Sequence, residues 1–267
     1  MIAIGRNEAD LATPGAAAAA IRRLKPDAVI NAAAWTAVDK SESDPVAAFR
    51  INAEAVGEIA EAAHSIGARL IHLSTDYVFS GDSSSPIDEA APVKPLNVYG
   101  ASKAKGEELA LRRHPAVVIL RTSWVFSPFG GNFLKTMLRV SETRDSIDVV
   151  ADQQGGPTSA EAIAAACLKI LRSGQPGAGI YHFQGAPAAT WADLAEEIFA
   201  AAGRSAKVNR IATSAYPTPA RRPLYAVLDC ARILRDFGVE QPDWRRDVAR
   251  TIERLAAADA ASEQRKP

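Results

Sequence analysis

The feature that most constrains the fold of this chain is a regular alternation of short apolar runs with longer helical patterns. The first half contains apolar runs, partly β-branched, at residues 2–4, 28–32, 70–73 and 117–120. The segments between them place apolar residues at helical spacing, at residues 14–24, 44–66 and 99–112. Because strands that alternate with helices are joined by right-handed crossovers, this pattern predicts an α/β fold around a doubly wound parallel sheet.

The second half of the chain continues this alternation for a further stretch. We predict a helix at residues 132–142, a strand at 147–150, a helix at 160–172 and a strand at 180–183. Residues 216–223 are rich in proline, which interrupts regular structure, so they are expected to form an ordered loop. The composition of residues 258–267 predicts a frayed tail.

Charge and composition exclude several classes of function. Lys plus Arg and Asp plus Glu each number 31, so no net charge directs the chain to nucleic acid or to an acidic membrane. No apolar run reaches the ~20 residues that span a bilayer. The histidines and the two cysteines, Cys167 and Cys230, show no metal-ligand spacing. We therefore expect no structural zinc site, and reduced thiols as in a cytoplasmic protein.

A tyrosine and a lysine four residues apart, Tyr99 and Lys103, are the main candidates for chemistry. On a helix they share one face, where the Lys103 ammonium would lower the pKa of the Tyr99 phenol. The apolar strand upstream ends in polar side chains at Thr75 and Asp76, and open α/β sheets bind their ligands at such strand ends. The structural alternatives are a solvated helix face, and a Thr75 hydroxyl that only caps its own strand.

A glycine-rich turn, which commonly opens a dinucleotide-binding sheet, is missing from the chain. The run at residues 2–4 instead resembles the second strand of such a sheet, because Asp10 and a helix follow it directly. We therefore expect that roughly 25 residues of a first βα unit are absent. The alternative is a protein that never bound a dinucleotide.

Five segments together resemble the dTDP-4-dehydrorhamnose reductases, a family of extended short-chain dehydrogenase/reductases. They are residues 31–40 (NAAAWTAVDK), 74–79 (STDYVF), 97–103 (NVYGASK), 121–125 (RTSWV) and 215–223 (AYPTPARRP). The resemblance runs from the first residues to about residue 254. It implies a Rossmann-like sheet that lacks its first βα unit, with a smaller C-terminal substrate-binding domain. The implied dinucleotide-binding domain covers residues 1–127 and 147–187, and the implied substrate domain covers residues 128–146 and 188–257.

The resemblance implies reduction of a ketone. Hydride from a nicotinamide cofactor would reach the C4 ketone of a dTDP-linked 6-deoxysugar, and Tyr99 would protonate the resulting alkoxide. Lys103 would lower the pKa of Tyr99 and bind the nicotinamide ribose, while Thr75 would hold the carbonyl or the Tyr99 oxygen. Asp76 and Tyr77 would contact the substrate. Related dehydratases carry a glutamate where this chain has Tyr77, which favours simple reduction, although Asp76 could equally be a turn-forming residue.

The same resemblance implies the remaining cofactor and substrate contacts. The residues that would line the cofactor after a buried strand are Ala33, Ala34, Trp35 and Thr36. Asp10 and Leu11 match contacts on the adenine side, and Arg6 would pair with a 2′-phosphate, which favours NADPH while leaving NADH open. The substrate contacts implied beyond the strand ends are Trp124 for the sugar, with Asn132, Arg221 and Arg222 for the diphosphate.

Three functions stay open from the sequence. The first is an NADPH-dependent reductase that completes dTDP-L-rhamnose, a precursor of surface polysaccharide. The second is a non-catalytic regulatory relative that binds a protein partner, like the β-subunit of methionine adenosyltransferase. The third is a C4 epimerase or dehydratase of sugar nucleotides. Some relatives form Mg²⁺-assisted homodimers, so a homodimer is expected, but no Mg²⁺ ligands can be assigned from this sequence.

Overall fold

The computed structural model describes residues 1–175 and 177–263. At its centre four parallel strands form one sheet: Ala28–Asn31 (β1), Arg69–Thr75 (β2), Val118–Thr122 (β3) and Gly179–His182 (β8). Their order is β1-β2-β3-β8, with each strand parallel to its neighbour. Helices cover both faces of this sheet, so the predicted α/β fold with a doubly wound parallel sheet is confirmed.

The helices of the first half follow the predicted segments closely. They are Ala16–Leu24 (α1), Val38–Ser43 (α2), Pro45–Phe49 (α3), Ala55–Ser65 (α4) and Val98–Arg113 (α5). A π-helical turn joins α3 to α4, so the single helix predicted at residues 44–66 is one helical stretch with a local widening. Asn97 caps α5 by accepting a hydrogen bond from the Gly100 N–H at 2.8 Å, which determines where this helix begins.

Apolar side chains alternate along the strands and fill a layer on each face of the sheet. Leu70 and Ile119 belong to the layer beneath α1 and α4. Ile71 and Leu120, one residue further along each strand, belong to the opposite layer, beneath Ala160–Arg172 (α7) and Ala231–Phe237 (α9). Because a strand has a side-chain period of two, this arrangement buries both faces of the central strands.

A second lobe packs beside the carboxyl ends of the strands. Its elements are Val125–Phe126 (β4), Phe133–Val140 (α6), Ser146–Val150 (β5), Gln154–Gly155 (β6), Thr158–Ser159 (β7), Ala189–Thr190 (β9), Trp191–Ala201 (α8), Lys207–Ile211 (β10) and Trp244–Glu263 (α10). Its core includes Leu134, Ile198 and the fully buried Trp244. None of the helices in the described ranges is long and apolar enough to cross a membrane.

Three predictions about elements are wrong. Strand β5 pairs in parallel with β10 rather than with the central sheet, because it alternates buried and exposed side chains instead of being buried on both faces. Residues 2–4 form no strand: Ile2 is 70% exposed and Ile4 is 40% exposed, and no described strand lies beside them. The tail expected at residues 258–267 is helical as far as Glu263, and its last four residues lie outside the described ranges.

A buried ion pair connects α5 to the central strands. Arg121 of β3 donates to both carboxylate oxygens of Glu107 on α5, at 2.9 and 2.6 Å, and both side chains are almost fully buried. Ser74 of β2 donates to the same carboxylate at 2.5 Å. Because a buried charge without its partner is costly, these contacts keep α5 in place against β2 and β3.

The backbone of α5 also makes a very close approach to its neighbours. A Cβ atom added at Gly106 would overlap the carbonyl oxygen of Asn52, and one added at Gly100 would overlap the carbonyl oxygen of Tyr77. Only glycine fits at these two positions, so they determine how deeply α5 sits.

We predict that Gly106→Ala lowers the free energy of unfolding by about 1–3 kcal/mol, because α5 must move away from Asn52 to accommodate the methyl group. Alanine is the better helix former, so helix propensity alone would give the opposite sign. Urea denaturation followed by circular dichroism measures the change. The matched control is Gly57→Ala in α4, where the nearest atoms belong to side chains at 3.3 Å and the expected change is within about 1 kcal/mol. Equal effects of the two substitutions would contradict this account.

Candidate active site

The candidate active site lies where β2 ends and α5 begins. Thr75 is the last residue of β2 and is followed by a 3₁₀ turn at Asp76–Val78. Tyr99 and Lys103 lie one turn apart near the start of α5, and both are buried. The rings of Tyr77 and Tyr99 meet edge to face with their centres 5.6 Å apart. The structure therefore brings together the side chains expected to carry the chemistry.

The environment of Tyr99 differs from the expectation in one respect. Burial, together with the charge of Asp76, raises the pKa of Tyr99 to about 12, although a hydrogen bond with Thr75 opposes the rise. The expected lowering by Lys103 is not found, because Nζ of Lys103 is directed to the carbonyl oxygen of Leu73, at 2.6 Å. In this structure Tyr99 is therefore a protonated phenol at neutral pH.

Asp76 is a buried carboxyl group with only one of its oxygens paired. The Thr75 hydroxyl donates to Oδ1 of Asp76 at 2.9 Å, and the Tyr77 N–H donates to the Thr75 oxygen at 3.2 Å. Oδ2 of Asp76 is buried without a hydrogen-bond partner among the described residues. Burial raises the pKa of Asp76 to about 7. The capping role of Thr75 and the turn at Asp76 are thus both present, together with an unpaired oxygen that suits a ligand.

Lys103 contacts His72, which the sequence analysis did not select, and His72 in turn contacts Asn31. Nζ of Lys103 lies 3.4 Å from Nε2 of His72, and Nδ1 of His72 lies 3.1 Å from Nδ2 of Asn31. Burial lowers the pKa of Lys103 to about 8, while the charge of Glu107 opposes this shift. A histidine in the middle of the apolar run at residues 70–73 was the signal that could have indicated this contact.

Thr122 is a second residue that the sequence analysis missed. It ends β3 and lies directly beside Thr75 in the register of the two strands. Its hydroxyl is buried and has no partner among the described residues. Because buried hydroxyls are normally hydrogen-bonded, this oxygen and Oδ2 of Asp76 together mark a place for a polar ligand at the sheet edge.

The loop after β1 is largely exposed and begins with small side chains. Ala33 and Thr36 are exposed, while Ala34 and Trp35 are partly buried. Asn52 fixes the backbone of this loop, because it accepts from the Trp35 N–H at 2.8 Å and donates to the Trp35 carbonyl at 3.0 Å. The loop thus presents a rigid surface at the carboxyl end of β1.

The three residues expected near an adenine are arranged differently from one another. Arg6 and Asp10 form an exposed ion pair at 3.8 Å, and Asp10 also accepts from the Ala12 N–H at 3.0 Å. Leu11 is buried in the apolar layer beneath α1 and α4, so its side chain is engaged in the core.

Trp124 is held in an unusual conformation beside the second lobe. Its φ of 45° lies in the left-handed region, where a tryptophan is strained. Its ring stacks on Trp191 with the ring centres 3.8 Å apart and the planes 10° apart. A Cβ atom at Gly155 would lie 2.7 Å from the Trp124 ring, so glycine is needed to seat it. This conformation turns Trp124 away from the direction of β3 and towards the second lobe.

A cavity of about 670 Å³ opens between α6, β5 and the proline-rich loop. Aromatic and basic side chains line it, including Phe133, Arg144, Trp191, Tyr216 and Arg222. Asn132 does not line it and is occupied as the cap of α6, since it accepts from Lys135 N–H at 3.2 Å and donates to Ser127 at 2.7 Å.

The two arginines of the proline-rich loop have different surroundings. Arg222 makes a bidentate ion pair with Asp39 of α2, at 3.0 and 2.9 Å, and its hydrogen bond holds the pKa of Asp39 below its usual value. The side chain of Arg221 is exposed, and its carbonyl accepts from Asn97 at 2.7 Å. Arg222 thus connects α2 to the cavity.

Comparisons with known proteins agree on one family. The model of the RmlD substrate binding domain family matches residues 1–257. A dTDP-4-dehydrorhamnose reductase from Sinorhizobium fredii is 43% identical over 261 residues, which are 94% of this chain and 88% of the relative.

Two solved structures have the same fold. The crystal structure of a dTDP-4-dehydrorhamnose reductase from Clostridium acetobutylicum superposes with a TM-score of 0.91 and 36% identity, covering 96% of this chain and 90% of that one. The reductase from Bacillus anthracis in complex with NADP has a TM-score of 0.89 and 32% identity, covering 94% and 89%. From the family match and these relatives, the chain belongs to the dTDP-4-dehydrorhamnose reductase family.

Proposed function

We propose that this protein uses NADPH to reduce the C4 ketone of dTDP-4-dehydro-β-L-rhamnose to dTDP-L-rhamnose, the last step of dTDP-rhamnose synthesis. The observation that carries the proposal is the buried cluster of Thr75, Tyr99 and Lys103 at the carboxyl end of β2. The family membership supports the reductase over a regulatory relative, an epimerase or a dehydratase. The NADP bound to the Bacillus anthracis relative supports the cofactor.

The proton of the reaction comes from Tyr99 in this proposal. Its phenol is protonated at neutral pH, so it can donate to the oxygen of the ketone as negative charge develops there. The Thr75 hydroxyl donates its hydrogen to Asp76, so its proposed role is to accept a hydrogen bond from the Tyr99 phenol and orient it. Lys103, four residues along the same helix face, holds the ribose of the cofactor and restores the proton to Tyr99.

The proposed role of Asp76 is to donate a hydrogen bond as a neutral acid. Since Thr75 donates to Oδ1, a proton on the carboxyl group resides on Oδ2, the oxygen without a described partner. This proton would be directed to a hydroxyl or carbonyl of the sugar. Tyr77 stands where an eliminating enzyme needs a second acid, and its proposed role is to pack against Tyr99 and the sugar.

The cofactor fits the open loop after β1. Ala33 and Ala34 allow the ribose and phosphates to approach the backbone, and the loop is already fixed by Asn52, so little order has to be gained on binding. Trp35 and Thr36 complete this surface. When bound, NADPH supplies the hydride.

Further cofactor contacts are proposed on the adenine side. Asp10 and the backbone of Leu11 lie on the adenine side in this proposal, and the exposed Arg6 binds the 2′-phosphate that distinguishes NADPH from NADH. The unpaired hydroxyl of Thr122 suits the carboxamide of the nicotinamide.

The nucleotide of the substrate is proposed to occupy the 670 Å³ cavity. Trp191, stacked on Trp124, and Phe133 offer apolar faces for the base and sugar. Arg222 and Arg144 line the same cavity and provide positive charge for the diphosphate. Arg221 is a weaker candidate because it is exposed, and Asn132 acts by capping α6 at the cavity wall.

Location and assembly form the last part of the proposal. The two free, buried thiols, Cys167 and Cys230, suit a reducing compartment, so we propose a cytoplasmic location. The homodimer stays a prediction, which sedimentation can test. A role for Mg²⁺ is not proposed, because the described residues contain no cluster of three or more acidic, histidine or cysteine side chains that could bind it.

We predict that Tyr99→Phe abolishes reduction of dTDP-4-dehydrorhamnose, because the ketone oxygen loses its proton donor. NADPH oxidation measures turnover, and nucleotide fluorescence measures cofactor binding, which should stay within about threefold of the parent because only a hydroxyl is lost. Thermal unfolding reports whether the variant folds. The matched control is Tyr225→Phe, which removes a hydroxyl from the partly buried Tyr225 in the second half of the chain. Full turnover by Tyr99→Phe would refute the assigned role.

We predict that Asp76 contributes stability at low pH that is lost as the pH rises. Its carboxyl group has a pKa of about 7 in the folded state against 3.8 when unfolded, so the folded chain binds more protons between these values. The stabilisation is complete below about pH 4 and is lost as the pH rises through 7, which amounts to about 4 kcal/mol. Urea denaturation should show this loss as a stability advantage of the parent over Asp76→Asn that falls between pH 4 and pH 8, because the opposite effect of the buried His72 and His182, whose pKa values are lowered, is common to both proteins. The exposed Asp82→Asn serves as control and should retain this advantage.

We predict that Arg222→Met raises KM for the nucleotide sugar about tenfold or more with little effect on KM for NADPH, because it removes a charge-assisted contact to the diphosphate. Arg221→Met, the adjacent control, should change KM less than about threefold. Asp39→Asn separates the two roles of Arg222, since it removes the ion pair and leaves the guanidinium. A larger effect of Arg221→Met than of Arg222→Met would reverse the assignment.

A further inference from the structure

A buried chain of hydrogen-bonding groups connects the loop after β1 to Lys103. The Ala33 N–H donates to Oδ1 of Asn31 at 3.2 Å, and Nδ2 of Asn31 lies 3.1 Å from Nδ1 of His72. Nε2 of His72 then lies 3.4 Å from Nζ of Lys103. Asn31, His72 and Lys103 are 5%, 0% and 2% exposed, so bulk water does not replace these contacts.

The hydrogen bond from Ala33 determines the tautomer of His72. Because the Ala33 N–H needs an acceptor, Oδ1 of Asn31 faces it, and the NH₂ group of Asn31 faces His72. Nδ1 of His72 therefore accepts, and the proton of the neutral ring is on Nε2. Burial and the charge of Lys103 lower the pKa of His72 well below its usual value, although a hydrogen bond with the Asn31 backbone opposes the shift, so the ring stays neutral.

An Nε2–H directed at Lys103 favours one form of its amine. A neutral amine accepts this hydrogen with its lone pair and still donates to the Leu73 carbonyl, at 2.6 Å. An ammonium has donors only, so its N–H groups oppose the N–H of His72. The environment thus disfavours the ammonium through geometry as well as through burial.

The other groups that face Lys103 leave this bias in place. Glu107, one turn along α5, favours the ammonium, but Arg121 of β3 shares its carboxylate. Tyr99, one turn back on α5, is a neutral phenol at neutral pH. From β2 the facing groups are His72 and the Leu73 carbonyl, and β1 contributes the uncharged Asn31.

We propose that Asn31 and His72 are positioning residues for the reduction, in which Asn31 holds His72 as the Nε2–H tautomer and His72 biases Lys103 towards the neutral amine. Lys103 then populates both forms near neutral pH and can exchange a proton in each turnover. Tyr99 gives its phenol proton to the product oxygen, the Lys103 ammonium supplies the proton that restores the phenol, and the Lys103 amine takes up one proton from the solvent. This inference rests on the proposed reductase function, and the lowered pKa of Lys103 supports it.

The first test needs no substrate. Long-range ¹H–¹⁵N spectra of protein labelled at its four histidines distinguish the ring tautomers, and the loss of one signal set in His72→Gln assigns His72. We expect an Nε2–H tautomer whose shift titrates with a midpoint of about 8, and no such titration in Lys103→Met. An Nδ1–H tautomer, directed to the Asn31 backbone carbonyl, or an imidazolium ring at pH 7 would overturn the proposal.

The second test reverses the tautomer. In Asn31→Asp the carboxylate accepts from both the Ala33 N–H and Nδ1–H of His72, so Nε2 becomes an acceptor for the Lys103 ammonium. The basic limb of the pH profile of kcat/KM, where activity falls as Lys103 loses its proton, should move up by about one pH unit or more. His72→Gln should move it in the same direction, because its amide oxygen can accept from the ammonium.

The matched control is His114→Gln, which changes a buried histidine that contacts the Ala68 carbonyl at 2.9 Å, away from Lys103. It should leave the basic limb unchanged. An unmoved limb in both Asn31→Asp and His72→Gln would overturn the proposal. A chain without reductase activity would refute the proposed function alone, since the spectra would still report the tautomer of His72 and the titration of Lys103.

Discussion

The rest of the structure depends on the close seating of α5 against the carboxyl end of β2. Gly100 and Gly106 let the helix backbone reach the carbonyls of Tyr77 and Asn52, and the ion pair of Glu107 with Arg121 holds it there. The same close packing excludes water from the polar groups between helix and strand, and their pKa values follow from that exclusion.

Much of the fold could be predicted from the sequence because buried parallel strands and their helices leave strong periodic patterns. The central strands and the helices around them were found nearly to the residue at α7 and within a few residues elsewhere. Strand β5 was assigned to the wrong sheet, since an apolar run does not say which neighbour it pairs with. Residues 2–4 were taken as a strand from composition alone, yet a strand forms only where a partner strand supplies hydrogen bonds.

The candidate site was predictable where it rests on local spacing and was missed where it rests on contacts distant in sequence. Tyr99 and Lys103 are one helical turn apart, so their four-residue spacing was enough to predict that they share a helix face. Asn31 meets His72 through the pairing of β1 with β2, and Thr122 lies beside Thr75 through the pairing of β2 with β3. A local sequence pattern does not predict which strands pair, so it does not predict these contacts. The direction of the Lys103 amine also could not be predicted from the sequence, because it depends on which backbone carbonyl lies near the packed helix.

The pKa values of Asp76 and Lys103 shift in opposite directions, and both shifts favour the neutral form of the side chain. Burial raises the pKa of Asp76 to about 7 and lowers that of Lys103 to about 8, so each group populates both its charged and its neutral form near neutral pH. A weakly charged site can exchange protons without holding a fixed counter-charge against the substrate. The permanent positive charges that we propose for the diphosphate are instead on Arg222 and Arg144, in the cavity of the second lobe. This separation lets binding strength be set by the arginines while the proton chemistry is set by burial around α5.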